Sequence, residues 1–179
     1  MDNKIKDSGS TREFSTGAHR DNAEGKGRCD LLPLRQVGEI MNDLVIINIA
    51  KFMETGEKIY LKEAIKESTR TLPQYSSGLP NMMLEVSHLY EAGAIKYGEN
   101  NWKCGMPLKC YIDSGVRHYL KTLRGDTDEP HYRGFVWNLL GALWTIDNVP
   151  GALDDLITIE KWKKIGFEPN LFFTSLLLT

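Results

Sequence analysis

Between Asp113 and Asn138 the sequence gathers Asp113, Arg117, His118, Asp126, Asp128, Glu129, His131 and Asn138 among apolar stretches of helical period. Carboxylates and imidazoles bind divalent cations, and guanidinium and amide groups bind phosphate oxygens, so the set suits metal-assisted chemistry on a phosphorylated substrate. Asp128, Glu129 and His131 fall within four positions at the start of a helix. There they can hold an ion that keeps water ligands, one of which becomes a nucleophile. Acidic residues also favour a helix N-terminus on dipole grounds alone, so Asp128 and Glu129 carry an electrostatic reading as well. Upstream, Glu85, His88 and Glu91 are spaced three apart. They climb one face of a helix, either as ligands to an ion or as a solvated charged face. Asp113 reads as a helix N-cap or as a metal ligand beside Arg117, a phosphate-binding group one turn on. His118 points away from the apolar stripe of its helix, towards solvent or a neighbouring helix. Near the N-terminus, Arg20, Lys26 and Arg28 surround Gly25 and Gly27. A glycine-spaced basic loop can wrap phosphate oxygens, although this spacing is not a Walker A motif, and a polar tail is the plain alternative. Trp102 and Trp137 read as core residues or as platforms for a stacked base.

These groups need a scaffold, and the period of the apolar residues is helical throughout. Val37, Ile40, Met41, Leu44, Ile47 and Ile49 predict one amphipathic helix from Leu34 to Phe52, ending near Gly56. A more charged outer helix follows from Glu57 to about Thr69, with Ile59, Leu61 and Ile65 as its thin apolar stripe. The stretch from Leu72-Pro73 to Leu79-Pro80 reads as a loop. The next helix stops at Gly98, with Val86, Leu89, Tyr90, Gly93 and Tyr97 on one side. Asp113 to Gly125 predicts another, burying Val116, Tyr119, Leu120 and Leu123. A longer helix from Pro130 to Asn148 buries Tyr132, Phe135, Leu139, Leu143 and Ile146, while His131, Gly134, Asn138, Gly141 and Thr145 form a small, polar face open to close approach. Past Pro150-Gly151 a last helix runs from Ala152 to about Lys164, leading to an apolar tail at Leu176-Leu177-Leu178. No strand-like alternation competes with this pattern. The expected fold is all-α, a bundle of about five or six helices over residues 31–179, preceded by a flexible, basic, Gly-rich segment over residues 1–30 that orders on a ligand.

A chain of 179 residues is long enough for one domain with a core of its own. The net charge of −2 gives no general attraction for polyanions, so nucleic acid is not an expected partner. Three cysteines, with no CxxC pair, read as reduced thiols of a cytoplasmic protein. No apolar run reaches spanning length and the N-terminus is polar from Asp2 through Arg12, so neither a membrane helix nor a signal peptide is expected.

Several short blocks occur together and in order: Thr16-Gly17-Ala18-His19-Arg20-Asp21, Gly25 to Pro33, Gly93-Ala94-Ile95-Lys96-Tyr97-Gly98 with Asn101-Trp102, Asp113-Ser114 with Arg117-His118, and Asp128-Glu129 with His131 and Trp137-Asn138. In them the chain resembles the phage-type dATP/dGTP diphosphohydrolases, which are similar to the MazG-like all-α nucleoside triphosphate pyrophosphohydrolases. The resemblance implies hydrolysis of a purine deoxynucleoside triphosphate between its α and β phosphates, giving the monophosphate and pyrophosphate with Mg²⁺ (or Mn²⁺). It implies a nucleotide site containing Arg20, Lys26 and Arg28, lined by Lys96, Tyr97, Asn101 and Trp102, with Asp128, Glu129 and His131 near the metal. Where the MazG pattern has ExxE and ExxD, this sequence has Glu85-x-x-His88 and Asp128-x-x-His131.

On that reading Glu129 is the general base and His131 lies beside it, while Arg117 and Lys96 stabilise the leaving pyrophosphate. Candidate metal ligands are Glu85, Glu91, Asp113, Asp128, Glu129 and His131. Asn138 or Asn101 selects the base, and His118 completes the substrate contacts. Copies of the chain are expected to associate as a dimer or higher oligomer. Two other readings stand beside this one. An HD-type phosphohydrolase is also all-α with His and Asp around metals, although no His-Asp dipeptide is present. A non-catalytic nucleotide-binding or interaction module would use the same charges as helix caps.

Overall fold

The computed structural model describes residues 10–72 and 78–156. Two short antiparallel strands, β1 (Thr11–Glu13) and β2 (His19–Asp21), are followed by α1 (Leu34–Met41), α2 (Leu44–Thr55), α3 (Ile59–Thr71), α4 (Leu79–Tyr97), α5 (Leu108–Arg124) and α6 (His131–Asn148). Short 3₁₀ turns lie at Cys29–Leu31, Asn101–Cys104 and Ala152–Asp155. The architecture is an all-α bundle carrying one small hairpin. No described helix is long and apolar enough to cross a membrane.

The α5/α6 pair is the centre of the bundle, with α4 against α6 and α2 packed on both α1 and α3. The two central helices approach closely because α6 presents glycine where α5 presents rings. A Cβ at Gly141 would stand 2.5 Å from Cε1 of Tyr111, and one at Gly134 would stand 2.9 Å from the His118 ring. The small face expected on α6 therefore receives side chains of α5. Around it Phe52, Ile112, Tyr119, Phe135 and Leu139 are fully buried. Each such side chain contributes about 1.5–3 kcal/mol on leaving water. Gly125 ends α5 at φ 87°, a left-handed conformation that a Cβ disfavours.

The structure corrects four expectations. The helix expected from Leu34 to Phe52 is two helices, broken where Asn42 turns left-handed and Asp43 caps α2 by accepting hydrogen bonds from the backbone N–H groups of Val45 and Ile46. The break shifts the helical phase, so Ile40 and Leu44 are exposed while Val45, Ile46, Ile49 and Ala50 are buried. Asp113 is not an N-cap: α5 begins five residues earlier at Leu108, and Asp113 is buried inside it. Residues 10–30, where no strand was expected, contain a docked hairpin, held by long-range hydrogen bonds that a hydrophobic pattern does not report. Thr16 Oγ1 donates to Gly105 O at 2.6 Å, and Cys29 N donates to Asp113 Oδ1 at 2.7 Å. Finally, Ala152–Asp155 is a 3₁₀ turn. The remainder of the expected last helix and the Leu176-Leu177-Leu178 tail lie outside the described residues, as does the tip of the loop before Leu79.

Candidate active site

A cleft of about 720 Å³ lies between the β2 strand with its following loop, one face of α4, the Asn101–Cys104 turn, the second half of α5 and the first half of α6. Arg20, Lys26, Tyr97, Asn101, Trp102, Arg117, His118, Asp128, Glu129 and Asn138 all line it. The α4 side on which the sequence gathers Leu89, Tyr90, Gly93 and Tyr97 is a wall of this cleft. Its floor is aromatic. Trp102 meets Tyr90 edge-on at 5.4 Å, and Trp137 tilts against Tyr90 at 6.1 Å.

At one end of the cleft, three donor atoms converge. His118 stands over Gly134, which brings its Nδ1 to 3.0 Å from Nδ1 of His131. Glu129 Oε1 lies 3.1 Å from the same His131 nitrogen and 3.8 Å from that of His118. The other ring nitrogen of His131, Nε2, is 2.8 Å from Asp128 Oδ1. Asp126, Asp128 and His131 form a second, overlapping group at the surface, where Asp126 is held by the guanidinium of Arg124. Burial pushes the His118 imidazole down from its ordinary pKa, so it is neutral at physiological pH and keeps a lone pair. The hydrogen bond from His131 holds the Glu129 carboxyl below the ordinary glutamate range, against the opposing effect of its partial burial.

The cations are arranged around this end. Arg20 donates to Asn138 Oδ1 at 2.8 Å and to Cys110 O at 3.4 Å, with its guanidinium 5.6 Å from the Trp137 ring centre. Its hydrogen-bond partners are neutral, and burial lowers its pKa. Lys26 is exposed on the cleft rim. Lys121 Nζ lies 3.8 Å from Asp128 Oδ2. Arg117 is tied down instead. It forms a fork on Asp113 at 2.7 and 3.1 Å, donates to Gly27 O at 2.9 Å and reaches Ser114 Oγ at 3.1 Å.

Other expected site residues are engaged by partners within the protein. Asp113 uses its carboxylate on Arg117 and on the Cys29 N–H, so it fastens the N-terminal loop to α5 and stands outside both metal-capable groups. Glu85 accepts from Arg133 at 2.5 Å and from Tyr132 at 3.2 Å. Glu91 is exposed, 3.8 Å from His88. Neither glutamate joins the His118, Glu129 and His131 group. Arg28 turns outward into a fork with Asp30, at 2.7 and 2.6 Å, and does not line the cleft. Lys96 is bonded to Asp21 Oδ1 at 2.7 Å, and Tyr97 donates to the same oxygen at 2.5 Å. Partial burial and that carboxylate push the Tyr97 phenol up to about 12.

The two candidate base-reading amides are both engaged by the protein. Asn138 accepts from Arg20 and donates to Gly134 O at 2.6 Å. Asn101 accepts from His19 N at 3.0 Å and donates to His19 O at 3.1 Å, pairing with the hairpin as a further strand would. Sequence reasoning gave no role to Asp21, Tyr90, Lys121 or Arg133. The Asp21 pairing spans 75 residues to Lys96, beyond the reach of any local pattern.

The family described as dATP/dGTP diphosphohydrolase, N-terminal, matches residues 62–155. No curated protein and no solved structure matches the chain. The matched stretch runs from within α3 through the 3₁₀ turn after α6 and contains the helical walls of the cleft together with the His118, Glu129 and His131 group. It also takes in part of α3, where the blocks quoted from the sequence did not reach, and it stops short of the hairpin. Since the match spans more than half of the 179 residues and includes every helical element around the site, the chain belongs to the dATP/dGTP diphosphohydrolase N-terminal family.

Proposed function

We propose that the cleft binds a purine deoxynucleoside triphosphate, dGTP or dATP, and hydrolyses it between the α and β phosphates to the monophosphate and pyrophosphate. The observation that carries this reading is the joining of an aromatic floor, Tyr90, Trp102 and Trp137, to a cation-rimmed end that holds two imidazoles and a carboxylate. A flat ring stacks on the first and a polyphosphate suits the second.

The expected cofactor is a divalent ion, Mg²⁺ or Mn²⁺. Two imidazole nitrogens and one carboxylate suit a transition-metal ion, and of the two expected ions they suit Mn²⁺ better than Mg²⁺, which prefers oxygen ligands throughout. His118, Glu129 and His131 would hold it, and bound there it would offset phosphate charge and acidify a water. Arg20 and Lys26, neither paired with a carboxylate among the described residues, attract the phosphate chain and stabilise charge growing on the leaving pyrophosphate. Arg117, neutralised in part by Asp113, positions the wall that Arg20 and Lys26 approach. Glu129 accepts a proton from the attacking water as that oxygen bonds to phosphorus and the bridging P–O bond breaks. Exposed Leu84 and Ile95 on α4 support association of copies of the chain.

The test is product analysis with each deoxynucleoside triphosphate, in Mn²⁺ and separately in Mg²⁺. Monophosphate plus pyrophosphate from the purine substrates is the expected outcome. Inorganic triphosphate plus nucleoside would assign the chain to HD-type chemistry, and tight binding without products would make it a binding module.

A further inference from the structure

We infer that His118 Nδ1, His131 Nδ1 and Glu129 Oε1 form a preorganised site for one borderline transition-metal ion, of the Mn²⁺, Fe²⁺, Co²⁺ and Zn²⁺ class, which the protein binds before any nucleotide arrives. The donor spacing is the first ground. With metal–ligand bonds of about 2.0–2.2 Å, donors on a four-coordinate ion lie roughly 3.3 Å apart. The three separations here are 3.0, 3.1 and 3.8 Å, on either side of that value.

The second ground is the tautomer of His131. Its Nε2 lies 2.8 Å from Asp128 Oδ1, and a carboxylate at that distance requires N–H on Nε2. In a neutral ring this leaves the lone pair on Nδ1, aimed into the triangle. A ligating histidine that donates its far N–H to a carboxylate is the usual arrangement around a metal, so Asp128 is the positioning residue. Close packing fixes both rings as well. The His131 side chain is 1% exposed, and His118 is backed by Gly134, where no side chain can intervene. Glu129, 28% exposed, and His118, 22% exposed, both line the cleft where phosphates would lie, with His131 buried behind them.

Without an ion, the same atoms need a different account. The contacts would then be a hydrogen-bond network joining Asp128, His131, Glu129 and His118. That network has no reason to prefer one divalent cation over another.

The inference deepens the functional reading at the same site, and its test uses no nucleotide. The full chain is stripped with a chelator and titrated with Co²⁺, and separately with Zn²⁺ and Mg²⁺ in a calorimeter. Expected are one equivalent of Co²⁺ per chain with visible absorption stronger than that of the aqua ion, and at least tenfold weaker binding of Mg²⁺. Glu129→Gln and His118→Ala should each weaken Co²⁺ binding at least tenfold. Asp128→Asn should weaken it about 10- to 100-fold. Helical circular dichroism is recorded for each variant, and Glu129→Gln, on a partly exposed carboxylate, remains informative if the histidine variant misfolds. An aqua-like Co²⁺ spectrum, Mg²⁺ affinity equal to that of Co²⁺, or unchanged Co²⁺ binding in folded Glu129→Gln would overturn the site. Metal bound as expected with no triphosphate hydrolysed would instead remove the functional reading alone.

Discussion

Arg20 is the cation whose surroundings say most about its use. It sits against the Trp137 ring with only neutral oxygens as hydrogen-bond partners, so its charge is available to an anion in the cleft. Asn138 aims it while anchored to Gly134 O. Asn138→Asp places a carboxylate on that guanidinium, and the expected outcome is a KM raised roughly tenfold or more, about 1.4 kcal/mol of lost substrate binding. Arg20→Lys keeps the charge and loses the planar fork, and should raise KM by a similar factor. Steady-state kinetics on both variants check this, and an unchanged KM in either would remove Arg20 from the phosphate site. At this scale the sequence was legible where chemistry is local. Asp128, Glu129 and His131 fall within four positions, and the two carboxylates meet the His131 ring from its two nitrogens, Asp128 at Nε2 and Glu129 at Nδ1. Glu85 and Asp113 were read as ligands because a helical period reports which face a residue occupies and not what stands opposite. Their partners, Arg133 across the bundle and the Cys29 N–H on a distant loop, have no signature beside them in the chain.

Helices were the legible elements, since the apolar period marks α3, α4 and α6 within a few residues and Gly125 marks the end of α5, whose start lies five residues before the expected one. Two features were hidden for physical reasons. The Asn42-Asp43 break lies inside an uninterrupted apolar pattern, and its cap also accepts from Tyr119 across the core at 2.7 Å. The strands have three residues each, too short for alternation to register. The glycine face of α6 was legible as a place of close approach, and it separates packing from function. Gly134→Ala and Gly141→Ala each push a Cβ into a ring of α5 and should cost about 1–3 kcal/mol of stability by overpacking. Only the first pushes on His118. Both variants should therefore lower the denaturation midpoint, while Gly134→Ala alone weakens Co²⁺ binding and slows turnover. Equal effects on turnover from both would mean that the His118 position is not specific to the site.

For the molecule as a whole, the question is how a helical body and a short hairpin share one cleft. The family match covers the body and leaves residues 10–30 aside, yet Arg20 and Lys26 come from that segment. The hairpin is fastened at its strand by Asn101, Lys96 and Tyr97, and its following loop is fastened by Arg117 and Asp113. Between these points, residues 22–26 cross the cleft mouth with few hydrogen bonds to the body, so they form the least constrained wall. A triphosphate bound by Arg20 and Lys26 adds contacts to that wall, and any ligand that binds the closed arrangement preferentially lowers the population of open states. Amide hydrogen exchange over residues 19–26 should therefore slow at least tenfold with saturating, non-hydrolysable dGTP analogue, while the buried core of α2 changes little. Asn101→Ala releases one fastening, and it should speed exchange in the same stretch and raise KM while leaving Co²⁺ affinity at the His118, Glu129 and His131 group unchanged. Protection confined to α5 and α6, with residues 19–26 unaffected, would mean that the hairpin lies beside the nucleotide without holding it.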